Sequence, residues 1–300
     1  NMVKNKYPDV NLIANKKNVG FSVANNQGIK RSKGEYILLL NPDTVVEHNT
    51  FEKVISFMEG HPDAGALGVK MVDGSGNFLP ESKRGLPTPS TAFYKMFGLS
   101  SLFPRSKRFA RYHLGHLDND QIHKVEILPG AFMLLRKSVL DKIGLLDESF
   151  FMYGEDIDLS YRIIKAGYYN YYYPETRIIH YKGESTKKGS VNYVLVFYNA
   201  MVIFAKKHFT IKNARLFTFL INIAIYFRAT IALLTRFWKK LMLPLFDGIA
   251  LFSGSMLIKE LWGRTQIYTD GGNYPTALIY YVIPSYVLIW LLSVYFIGGY

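Results

Sequence analysis

The stretch Tyr36 to Glu47 reads YILLLNPDTVVE. Its apolar run, Ile37 to Leu40, stops abruptly at Asn41, Pro42 and Asp43. A short apolar run bounded by turn residues predicts a buried strand. Proline ends the ladder because it has no N–H to donate. Asp43 is thereby left at the carboxyl end of the strand, where open α/β sheets place their ligands. The alternative use of that carboxylate is an Asx turn capping the helix that starts near His48.

Working outward, VNLIAN (residues 10–15) reads as a strand and FSVANNQGIKRS (residues 21–32) as a helix closed by Gly34. Strand, helix and strand in this order predict a right-handed parallel unit. Downstream, TFEKVISFMEG spaces Phe51, Val54, Ile55 and Met58 at helical intervals and stops at Gly60 and Pro62. VEILPGAFMLLRKSVLDKIG (residues 125–144) reads as a strand, a turn at Pro129 and Gly130, a second strand and a short helix. This alternation predicts an α/β domain over residues 1–198. Between Pro80 and Asp120 the pattern loosens into prolines, bases and aromatics, which suits either a solvated connection or a surface that meets lipid or a lipid-linked phosphate.

Residues 150–163, FFMYGEDIDLSYRI, put Glu155, Asp156 and Asp158 within four positions behind an aromatic block. A helix starting at Glu155 or Asp156 is predicted, with Ile157, Tyr161 and Ile164 on one face and Gly167 closing it. The helix dipole favours one or two carboxylates in a first turn, and three exceed that need. Glu155 and Asp158 are three apart and share a side, whereas Asp156 points elsewhere, so at least one carboxylate is free to face a cleft. Further on, the apolar strand TRII delivers His180 at its end. Asp43 and His180, each at a strand end, make an oxygen and imidazole pair suited to magnesium or manganese.

The chain has 300 residues, 49% of them hydrophobic, a formal charge of +13 and no cysteine. A disulfide framework, a thiolate zinc site and a cysteine nucleophile are excluded. The positive balance favours an anionic partner. Nucleic acid is disfavoured as that partner, because the bases are dispersed and no binding motif is present. No basic n-region followed by an apolar h-region opens the sequence, so no signal peptide is expected. After residue 198 the sequence turns apolar. Leu216–Trp238 carries Arg228 at its middle, Leu241–Ile258 contains Pro244 and Asp247, and Ala277–Tyr300 is 24 residues with no ionisable group except tyrosine. Residues 199–300 are therefore expected to form a membrane-associated helical region.

The blocks NKKNVGFSVANNQGIKRSKGEYILLLNPDTVVE, LPGAFMLLRKSVLDKIGLLDESFFMYGEDIDLSYRIIKAGY and YYPETRIIHYKGES, in this order, resemble family 2 inverting glycosyltransferases, in particular the rhamnosyltransferase-like branch that builds bacterial surface polysaccharides. The resemblance implies a GT-A (Rossmann-like) mixed sheet flanked by helices, a nucleotide-diphosphate sugar donor and a divalent metal, manganese or magnesium. It places NPD where the family has its DXD-type motif, so Asp43 would hold the metal, with Asn41 standing where many members have an aspartate. His180 matches the histidine that completes the coordination. GED matches the block of the catalytic base, with Asp156 the first candidate and Glu155 the second. Asn18, Gly20, Phe21, Asn25 and Asn26 match the wall of the nucleotide pocket. Gly130 and Ala131 match the segment beside the donor sugar and acceptor, and Asp158 is grouped with them. Family members begin with a nucleobase-binding strand and loop that this sequence does not show. The expected activity is transfer of a sugar, rhamnose by branch, to a lipid-linked glycan at the cytoplasmic face of a bacterial inner membrane. A non-catalytic membrane scaffold or partner-binding remnant of such an enzyme is the alternative.

Overall fold

The computed structural model describes residues 2–181, 191–264 and 275–300. After a short helix α1 (Met2–Lys6), six strands form one mixed sheet. Its order is β1 (Tyr36–Leu40), β5 (Phe132–Arg136), β3 (Ala64–Val72), β6 (Tyr169–His180) and β2 (Thr44–Val46), with β4 (His123–Val125) also on β6. β5 runs antiparallel to β1 and β3, and β6 runs parallel to β3. The carboxyl ends of β1, β3 and β6 therefore share one edge.

Side chains alternate between the two faces, as the strand repeat requires. Leu39, Met133, Leu135 and Tyr172 pack beneath α2 (Phe21–Arg31), α6 (Lys137–Ile143) and α7 (Glu155–Lys165). Leu67, Phe132, Leu134 and Tyr173 pack with Val54, Phe57 and Met58 of α3 (Thr50–Gly60) on the other face. Each fully covered Leu or Phe contributes roughly 1.5–3 kcal/mol. Pro174 fits inside β6 because the register jumps there, from Val69 opposite Tyr173 to Lys70 opposite Arg177. The looped-out residues free the proline from the ladder.

Three expectations change. Residues 10–15 form no strand, and Val10 and Leu12 remain exposed. The right-handed parallel unit is accordingly not formed, and β1 takes the antiparallel neighbour β5. As the end strand of the sheet, β1 is fully buried only at Ile37 and Leu39. The segment from Pro80 to Asp120 is not a merely solvated connection. It contains α4 (Pro89–Met96) and α5 (Leu99–Leu102), and it buries Lys83, whose Nζ donates to the carbonyls of Leu114 (3.1 Å) and Leu117 (2.8 Å).

The chain divides into compact units at Ala224 and Ile225, later than the expected boundary at 198. The reason is α8 (Val191–His208), which packs along α7. Tyr161 meets Phe204 and His208 edge-on. Asp158, with a wholly buried side chain, binds Arg162 Nε (2.8 Å), Lys207 Nζ (2.8 Å) and His208 Nε2 (2.6 Å). Lys207 also reaches Asp147.

The two stretches Leu216–Trp238 and Leu241–Ile258 lie within one helix, α9 (Ile211–Gly263). Leu233–Gly263 and Leu278–Ile297 are each long and apolar enough to cross a membrane. Pro244 sits inside α9, as membrane helices tolerate. A Cβ on Gly248 would lie 3.4 Å from Leu291 of α10 (Ile283–Ile297), so the two helices are in close contact. The side chain of Arg228 lies outside the described residues.

The buried Asp158 cluster generates a stability prediction. Burial opposes its charge, but His208, Lys207 and Arg162 outweigh burial and hold the carboxyl well below the usual range. A depressed folded-state value means that the stabilisation is present above about pH 4 and is lost as pH falls further. Asp158→Asn removes the buried carboxylate that joins Arg162, Lys207 and His208. It should cost roughly 1–3 kcal/mol, seen as a lower melting temperature of the detergent-solubilised protein at neutral pH, with the gap to wild type closing in acid.

Candidate active site at the carboxyl edge of the sheet

The short ladder between β2 and β6 sets Thr44 opposite His180, and Tyr181 N donates to Asp43 O at 2.9 Å. This brings Asp43 Oδ1 to 3.3 Å from His180 Nε2. Asp43 Oδ1 and His180 Nδ1 are buried without a hydrogen-bond partner. Helix α3 starts after Asn49 with no side-chain cap, so the Asx-capping use of Asp43 is not realised. The facing atoms, Asp43 Oδ1 and His180 Nε2, are of the hard-oxygen and imidazole types that a divalent cation takes. Among the described residues no cluster of three such side chains forms.

From Asp43 the site continues through backbone contacts. Asn41 N donates to Ala131 O at 2.9 Å, joining the end of β1 to the turn before β5. A Cβ on the neighbouring Gly130 would stand 3.3 Å from the Phe21 ring and 3.8 Å from Asp156 Cβ, so those three residues pack side by side. Phe21 is placed by the start of α2. Asn18 Oδ1 accepts from Gly20 N at 3.0 Å, and Phe21 N donates to Phe151 O at 2.8 Å. Gly20 has φ +84°, and a Cβ there would lie 2.6 Å from Phe151 O, so both backbone conformation and space demand glycine.

The structure thus gathers Asn41, Asp43, Phe21, Gly130, Ala131, Asp156 and His180 along one edge. Other expected residues are used differently. Asn26 is buried, donating to Leu146 O (2.8 Å) and Glu148 Oε1 (2.9 Å) and accepting from Leu146 N (3.1 Å). It ties α2 to the segment after α6 instead of walling a pocket. Asn25 bonds back to Phe21 O within its own helix at 2.8 Å. Asp158 is sealed in its ion cluster and is not open to a sugar.

The three carboxylates at the start of α7 have separate environments. Asp156 Oδ2 pairs with Arg84, and its Oδ1 accepts from Ile157 N at 2.8 Å. Glu155 is buried and its Oε2 has no partner. Burial, then the charge of Asp156, pushes it up to about 8. Arg84 escaped the sequence reading because it sits among other bases in SKRG, with no pattern to set it apart. Around it the wall is electropositive: burial, then Lys95 and Arg84, drives His113 down to about 3.

The Glycosyltransferase like family 2 model matches residues 1–193. The chain belongs to glycosyltransferase family 2. It is 28% identical over 216 residues to the N-acetylglucosaminyl-diphospho-decaprenol L-rhamnosyltransferase of Mycobacterium tuberculosis, covering 68% of this chain and 69% of that protein. Similarity to the rhamnosyltransferase WbbL of Escherichia coli is 30% over 149 residues, 49% of this chain and 52% of the relative. The mannosyltransferase PcManGT of Pyrobaculum calidifontis, solved with GDP-Man and Mn2+, aligns with 95% of this family 2 chain and 70% of its own at a TM-score of 0.44 and 13% identity. Staphylococcus aureus TarS 1-349 with UDP-GlcNAc aligns with 72% of the chain and 56% of its own at 0.42 and 17%. The mixed sheet flanked by helices is the GT-A arrangement of the family.

Glu155 yields a prediction whose sign differs from that of Asp158. Its folded-state value is raised, so the unfolded chain loses this proton first and stability falls as pH rises from about 4.5 toward 8. Glu155→Gln removes that cost. Its melting temperature should exceed that of wild type by a margin that widens across this range, measured by thermal unfolding at pH 5 and pH 8.

Proposed function

We propose that this chain is the catalytic part of an inverting glycosyltransferase that moves a sugar from a nucleotide-diphosphate donor to a lipid-linked glycan acceptor in cell-surface polysaccharide synthesis. The observation that carries the reading is the convergence of Asp43, His180 and Asp156 on one sheet edge with Gly130 between the strand ends. Asp43 and His180 would hold a divalent metal, which neutralises charge on a diphosphate leaving group when bound. Asn41 and Phe21 flank the donor's path, and the small Gly130 and Ala131 leave room beside Asp156 for sugar and acceptor.

Asp156 takes the proton of the acceptor hydroxyl as its oxygen bonds to the anomeric carbon from the face opposite the leaving group. The bond from that carbon to the diphosphate oxygen breaks with its electron pair, and the nucleoside diphosphate departs. One displacement inverts the configuration. Rhamnose is the sugar suggested by the M. tuberculosis and E. coli relatives. The basic segment Lys95–Arg111 and the two apolar helices fit an acceptor carried on lipid phosphate at the cytoplasmic side of a bacterial inner membrane.

Titration of the detergent-solubilised protein with dTDP and UDP, with and without manganese, tests the donor site. Metal-dependent binding of one nucleotide, lost in Asp43→Ala, is expected. Absence of binding to either would favour the scaffold alternative. Asp156→Asn should lower transfer by about 10²-fold or more while donor affinity stays within about twofold. Retained turnover would move the base to Glu155.

A further inference from the structure

The site described above leaves Arg84 without a role. It belongs to the irregular segment after β3, yet its backbone is fixed: Arg84 N donates to Ile127 O at 3.2 Å and Arg84 O accepts from Ile127 N at 2.9 Å. That two-way bridge sits three residues before Gly130. The guanidinium turns inward and is 12% exposed, donating through Nη2 to Leu128 O at 3.2 Å and to Asp156 Oδ2. Its Nε is buried with no partner. A guanidinium withdrawn this far from water, with a donor unspent, costs stability unless the pairing it makes is useful.

We infer that Arg84 is the positioning residue for Asp156, fixing one carboxylate oxygen from the side so that the remaining lone pairs face the space beside Gly130. The geometry supports this division. Oδ2 is taken by Arg84 and Oδ1 by the amide of Ile157, one bond each, and a carboxylate has about four acceptor positions. Two bonds from different directions stop rotation of the carboxylate about its Cβ–Cγ bond. The planar guanidinium, whose Nη2 is also tied to Leu128 O, holds this direction better than a freely rotating ammonium. A charge balance follows as well. Glu155 on α7, Arg84 from the segment after β3, and Tyr112 with Lys95 stacked on its ring surround Asp156. Within this group Glu155 is held neutral by burial and by Asp156, leaving Arg84 as the direct counter-charge of the proposed base.

The inference rests on Asp156 as base, so variants of both residues are measured together. For Arg84→Gln, kcat should fall by about 10²-fold with donor affinity within about twofold, and the acid limb of the pH profile should move upward. Arg84→Lys restores the charge without the fork. It should recover about tenfold of the loss and return the acid limb toward the wild-type position. Turnover in Asp156→Asn would overturn the base assignment itself. Loss in Asp156→Asn together with wild-type kcat and pH profile in Arg84→Gln would overturn this inference alone. If Arg84→Gln fails to fold, a wild-type kcat in Arg84→Lys would overturn it.

Discussion

Three carboxylates in the first turn of one helix cannot share an environment, because each ionised neighbour raises the cost of the next. Helix α7 resolves this by giving each a different partner from a different part of the chain. Asp158 receives Lys207 and His208 from α8, Asp156 receives Arg84 from the segment after β3, and Glu155 is pushed up by burial and by Asp156. The helix dipole helps all three, but it is worth only about 0.3–1 kcal/mol for an exposed charge and cannot replace these partners. The positions of α8 and of the Arg84 segment follow from this requirement as much as from apolar burial.

The same solution separates structure from chemistry within four residues. Asp158 acts as a buried anchor and is closed to ligands. Asp156 lies beside Phe21 and Gly130 at the carboxyl edge of the sheet, with its side chain partly open. Glu155 adds a neutral neighbour and not a second charge. The approach of the chain into this turn is costly in its own right: Tyr153 has φ +66° and Gly154 φ +93°, and a Cβ on Gly154 would press on Phe150 and on Ala200 of α8. Such conformations persist where surrounding packing over-determines them.

Much of the fold was legible from periodicity. β1, α3, α7 and the strand that ends at His180 stand where apolar spacing put them, because each buries a face against the sheet. Residues 10–15 misled for a physical reason: an apolar run becomes a strand only with a neighbour to pair, and the run itself carries no record of one. Asp43 and His180 could be matched because strand ends are visible locally. The roles of Asn26, Asp158 and Arg84 could not, since their partners lie 120, 50 and 72 residues away in sequence. The later unit boundary has the same origin: the Asp158 cluster binds α8 to α7 and the rest of the first unit through contacts no window of sequence displays.

The ladder that sets Asp43 beside His180 has three residue pairs and lies at the margin of the sheet. Such a corner opens for a small fraction of the free energy needed to unfold either packed face. When it opens, the two ligand atoms part while the core stays intact. A ligand gripping both residues therefore binds only the closed form, and its affinity includes the cost of closing this corner. If Asp43 and His180 grip the donor's metal as proposed, donor capture and the ordering of three β2 residues become one equilibrium, and slowed amide exchange at residues 44–46 would report occupancy without any turnover.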